Sequence, residues 1–152
     1  PGRVKDWHAA NGGAPTYEPD DDPGVVVVRR IYEYYKKHGH GTICMPASWR
    51  PSRGTSDPSY AVDEILALAG TDRMTIPPPL LELLASSDAE VPRKLEPGRA
   101  AAACADAELV YDESSFRLAM NADLAATTKL AEGINAFIGE TAKLQAAIEA
   151  KV

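Results

Sequence analysis

Between Val25 and Tyr35 the apolar residues Val25, Val28, Tyr32 and Tyr35 fall three and four positions apart, the spacing of one helical face. Asp22-Pro23 supplies the start, a capping carboxylate followed by proline at the first helical position, and His38-Gly39 supplies the stop. Thr42 to Ala47 is apolar without alternation, which predicts a strand buried on both faces. Pro51 to Asp57 reads as a loop, and Asp57-Pro58 repeats the cap-then-proline signature ahead of an apolar face at Val62, Ile65, Leu66 and Ala69. Arg73 to Ile76 predicts a second strand, followed by Pro77-Pro78-Pro79 and a leucine-rich helix. A short helix is expected over Arg3 to Ala10.

The order helix, strand, helix, strand, helix predicts an α/β fold with parallel strands. Residues 88–105, rich in proline, alanine and charge, predict a surface connector. A short helix near Phe116 and a long one over 122–150 complete the chain, the latter apolar at Leu130, Ile134, Phe137, Ile138, Leu144 and Ile148. That single stripe predicts a helix laid over a larger body. Two strands cannot form a self-sufficient parallel sheet, because both would keep open edges. The whole of 1–152 therefore reads as the C-terminal part of a larger α/β protein, or as a chain that needs partner strands.

A chain of 152 residues with 45% hydrophobic content has enough apolar side chains for a core. The net charge of −6, with no basic tract, argues against nucleic-acid binding, and no apolar run is long enough to span a membrane. Cys44 and Cys104 make no ligand spacing with the histidines, and Cys44 reads as a buried, reduced core residue. His8, His38 and His40 read as exposed or helix-end residues. Asp20-Asp21-Asp22 reads as an acidic loop feeding a helix N-terminus, not a metal site. No metal or cofactor is expected.

The candidate chemistry lies at the end of the first strand, where Ser48 and Arg50, two apart, share a face. A hydroxyl and a guanidinium delivered together suit a phosphate.

Several segments carry a family resemblance: Gly2-Arg3-Val4-Lys5-Asp6-Trp7, Asp22-Pro23-Gly24-Val25, Ile31 to Lys37, Met45-Pro46-Ala47-Ser48-Trp49-Arg50, Glu64 to Gly70, Thr75-Ile76 with Leu80-Leu81, and Lys129 to Ile134. In this order they resemble the C-terminal half of transaldolase, the pentose-phosphate-pathway enzyme. The resemblance implies the C-terminal part of a (β/α)8 TIM barrel, with Thr42 opening strand seven and Arg73 strand eight. It implies transfer of a dihydroxyacetone unit between sugar phosphates through a lysine Schiff base, with Arg3, Ser48 and Arg50 at the phosphate-binding positions.

The family's Schiff-base lysine sits on an earlier strand, so no catalytic residue is expected here. Lys5, Lys36 and Lys37 are expected at wet helical positions and are not substitutes. Sugar phosphates and the missing N-terminal barrel strands are the expected partners. A homodimer is compatible, and the location is cytoplasmic, with a plastid address left open. Pro46 stands where the family has glycine, Trp49 where it has phenylalanine, and the loop from Arg50 to Val62 is longer by about ten residues. A non-catalytic half-barrel interaction module is the alternative, and a related lysine aldolase is a third reading.

Overall fold

A computed structural model describes residues 1–151. Its first compact unit, Pro1–Glu108, holds helices α1 (Gly2–Ala10), α2 (Pro23–Lys37), α3 (Asp63–Ala67), α4 (Pro78–Ala85) and α5 (Pro97–Ala103). Short 3-10 turns at Pro19–Asp21 and Pro58–Val62 precede α2 and α3. The second unit, from Leu109 onward, holds α6 (Glu113–Ala122) and α7 (Leu124–Glu149).

The expected start of α2 is built as its residues dictate. The Asp22 carboxylate accepts from the Gly24 amide at 2.9 Å, and Gly39 past the other end takes a φ of 69°. Val25 and Tyr32 on its apolar face are fully buried and Val28 and Tyr35 partly so, in a core with Cys44, Trp49, Ile65, Ala67, Leu68, Leu95 and Ala100. Both cysteines are free and buried.

The two apolar stretches predicted as strands run side by side but reach no regular strand among the described residues. The Arg73 amide donates to the Cys44 carbonyl at 3.4 Å and the Thr75 amide to the Pro46 carbonyl at 3.1 Å. Each step advances two residues on both segments, which is parallel register. Burial on both faces does not hold: Cys44 and Pro46 point inward, whereas Ile43 and Met45 are more than half exposed. With the core on one side only, the pair alternates like a half-covered sheet.

The stretch 88–105 differs from a plain connector. Glu96 caps α5 by accepting from the Gly98 and Arg99 amides, and Pro97 sits at the first helical position. The Ala69 carbonyl accepts from both Lys94 and Leu95, and Leu95, Ala100 and Cys104 are buried. Small alanines let α5 lie against α2.

In the second unit, Asp112 and Ser115 form a reciprocal capping box on α6, and Asp123 caps α7. The α7 stripe at Leu130, Ile134, Phe137, Ile138, Leu144 and Ile148 is 51 to 76% exposed. No helix among the described residues is long and apolar enough to cross a membrane.

Candidate functional site

Trp49 anchors the end of the first extended segment. Its ring is buried and its indole N–H donates to the Thr75 carbonyl at 2.6 Å. With Trp49 turned inward, its neighbours Ser48 and Arg50 reach toward solvent, exposed and half-buried respectively. Ser48 adopts a left-handed φ of 68°, unique among the described non-glycine residues. For an L-residue that conformation costs about 1–2 kcal/mol.

Helix α1 is fastened to this segment by main chain and side chain together. The Gly2 amide donates to the Ser48 carbonyl at 2.6 Å. A Cβ on Gly2 would run into that carbonyl and into the Arg50 side chain, so the close approach needs glycine. One turn further on, Asp6 accepts from an Arg50 terminal nitrogen at 2.9 Å, and the other donates to the Trp49 carbonyl, also at 2.9 Å. The three residues expected to hold phosphate thus belong to two segments docked on each other. Arg3 is exposed, and its guanidinium has no hydrogen bond or ion pair among the described residues.

Beneath this surface lies a polar floor. Lys5, expected at a wet position, is buried. Its Nζ donates to the Pro51 (2.5 Å) and Ser52 (2.9 Å) carbonyls and lies 3.4 Å from the Asp22 carboxylate. The correction has a simple cause: a long stem can fill an interior gap when its ammonium finds carbonyls and an opposite charge there. Lys36 and Lys37 keep wetter places, Lys36 paired with Asp72 at 2.7 Å and Lys37 donating to the Cys104 and Asp106 carbonyls.

Glu64, fully buried, accepts from the Arg50 amide at 2.7 Å, while its second oxygen has no hydrogen-bond partner. Burial pushes its carboxyl up to about 7 from an ordinary 4.5, and the nearby Asp22 charge adds to the rise. The Arg50 amide, the Pro1 ammonium and Lys5 pull the other way.

The long loop after Arg50 is pinned. The Tyr17 amide donates to the Ser52 carbonyl at 2.9 Å, and Arg53 grips Asp63 through two nitrogens, at 3.1 and 2.6 Å. The Arg53 guanidinium also lies 3.9 Å from the Tyr60 ring centroid. A separate surface cleft of about 470 Å³ lies among Asp20, Arg29, Glu33, Lys94, Glu96 and Arg99, and includes none of Arg3, Ser48 or Arg50. Its carboxylates match its cations, and Asp20 already takes both Arg29 and Lys94.

Sequence reasoning passed over Asp6, Ser52 and Glu64 at this site and placed Lys5 at a wet position. Asp22 was legible only as a helix cap. A signal for Glu64 existed in a carboxylate directly preceding the apolar Ile65-Leu66, although that position also suits an exposed first helical turn.

Comparison with known proteins gives the arrangement a family. The family model for transaldolase/fructose-6-phosphate aldolase matches residues 1–148. A transaldolase of Cellvibrio japonicus is 44% identical over 144 residues, covering 95% of this chain and 42% of the relative. One from Kluyveromyces lactis is 44% identical over 152 residues, covering 99% and 42%. One from Alteromonas mediterranea is 43% identical over 151 residues, covering 99% and 43%. The chain spans about two-fifths of the length of these curated relatives. With a match this extensive, the chain belongs to the transaldolase/fructose-6-phosphate aldolase family.

Proposed function

We propose that this chain supplies the phosphate-binding side of a transaldolase, an enzyme that moves a dihydroxyacetone unit between sugar phosphates through a lysine Schiff base. Arg3, Ser48 and Arg50 hold the phosphate. The two parallel extended segments stand for strands seven and eight of a (β/α)8 barrel, and the Schiff-base lysine lies on barrel strands beyond this chain.

The observation that carries the reading is the docking of α1 on the Ser48–Arg50 segment, through Gly2 to Ser48 and Asp6 to Arg50. A phosphate dianion offers three acceptor oxygens, and two guanidiniums with a hydroxyl suit it by charge-assisted hydrogen bonds. The site at the C-terminal end of a barrel strand is where such folds gather their ligands.

An imine needs a neutral amine in a dry pocket. Lys5 does not offer one, because its ammonium is engaged by two carbonyls and faces Asp22. Incubating this chain with fructose 6-phosphate and borohydride should leave its mass unchanged, and a trapped lysine adduct on it would overturn the assignment. In the complete enzyme carrying this segment, Arg50→Ala should raise KM for fructose 6-phosphate by about ten- to a hundredfold, the worth of a charge-assisted bond, and spare unphosphorylated fructose. Equal loss for both sugars would remove Arg50 from phosphate binding.

A further inference from the structure

We propose that Glu64 is a positioning residue for substrate phosphate, its buried carboxylate fixing the Arg50 peptide and with it the direction in which the Arg50 guanidinium leaves the chain. The inference rests on the reading of Arg50 as a phosphate ligand.

A carboxylate buried only for stability would be expected to face a cation or a full set of donors. Glu64 does neither. The buried Lys5 ammonium is directed at Asp22 and at the Pro51 and Ser52 carbonyls. Glu64 accepts a hydrogen bond from one main-chain N–H, that of Arg50, and its remaining oxygen is buried without a hydrogen-bond partner. So costly a group, used on one peptide 14 residues away, fixes that peptide's orientation.

The geometry around Arg50 shows what is gained. Ser48 is in left-handed conformation two residues earlier and Pro51 follows directly, so this peptide lies in an irregular stretch with no ladder to hold it. Trp49 is tied through its indole, and Glu64 ties the next amide. Further out, Asp6 and the Trp49 carbonyl each take one guanidinium N–H. Of the five N–H groups on an arginine head, three then remain for an incoming phosphate. Their direction is set from behind by Glu64.

The test compares two near-isosteric changes in the complete enzyme carrying this segment. Glu64→Gln keeps the reach to the Arg50 amide. Glu64→Asp keeps the charge but falls one methylene short, and Glu64→Met, which keeps the length without an acceptor, replaces it should the aspartate variant fail to fold. Expected are a KM for fructose 6-phosphate within about threefold of the parent for Glu64→Gln, and about tenfold higher for the shortened or acceptor-less variant. In both, kcat and the KM for unphosphorylated fructose should stay close to the parent's. Equal effects of Gln and Asp (or Met), or equal losses on both sugars, would overturn the proposal. Arg50→Ala measured alongside separates the two levels. If it discriminates between the sugars and Glu64 does not, the positioning role alone fails. If Arg50→Ala does not discriminate, the phosphate reading fails and the role of Glu64 with it.

Discussion

The Arg50 amide and the Glu64 carboxylate meet at 2.7 Å inside the protein, whereas the Arg50 guanidinium meets Asp6 at 2.9 Å in half-exposed surroundings. One residue is thus held by two carboxylates in very different media. The buried contact governs where the backbone goes. The outer one leaves the side chain accessible.

The buried contact makes stability depend on pH in a particular direction. The folded chain holds the Glu64 proton up to about pH 7, and an ordinary carboxyl releases it near 4.5. Its stabilising contribution is therefore complete below about 4.5, declines above that, and is lost as pH rises through about 7. Measured from pH 5 to 8, the thermal midpoint of the parent should fall relative to that of Glu64→Gln as pH rises. Parallel curves would show that Glu64 does not titrate in this range.

Lys5 and Asp6 are neighbours in sequence with unequal weight in stability. Lys5→Ala strips two carbonyls and the Asp22 carboxylate of their partner in a buried setting, and should cost about 3–5 kcal/mol. Asp6→Ala removes a half-exposed ion pair and should cost no more than about 1 kcal/mol. Denaturant melts of the two variants provide the comparison. Similar values would mean that Lys5 is solvated after all.

Ser48 carries both a hydroxyl and a strained backbone, and two substitutions separate them. Ser48→Gly should match or exceed the parent's stability by about 1 kcal/mol, because glycine takes a φ of 68° without penalty. Ser48→Ala keeps the strain and gains nothing. Both lose the hydroxyl and should bind phosphorylated sugar more weakly in the complete enzyme. Denaturation midpoints that rank alanine above glycine would show the backbone is not strained at this position.

What the sequence made legible was mainly local. Asp22-Pro23 announced α2, and the three-and-four spacing of Val25, Val28, Tyr32 and Tyr35 marked its inward face, because caps and helical periodicity involve residues close in the chain. Glu96-Pro97 carries a similar start signal, yet the surrounding alanine and charge read as a connector. The apolar run of 42–47 indicated extended chain but not how many of its faces would be covered. Lys5 was expected in water for a related reason. Its carbonyl partners lie 46 and 47 residues away, and nothing within α1 distinguishes a lysine that turns inward from one that turns out. Arg3, Ser48 and Arg50 were picked out by residue type and family likeness, whereas the carboxylates around Arg50 emerge only when the chain is folded.

Gly2 meets Ser48 through backbone atoms alone, with no space for anything larger. The mount and the tools are consequently separable. On the proposed phosphate reading, side chains at positions 3 and 48 could be exchanged to alter the anion preference while the two segments stay in register, but a single methyl at position 2 would pry them apart and misalign every group they carry.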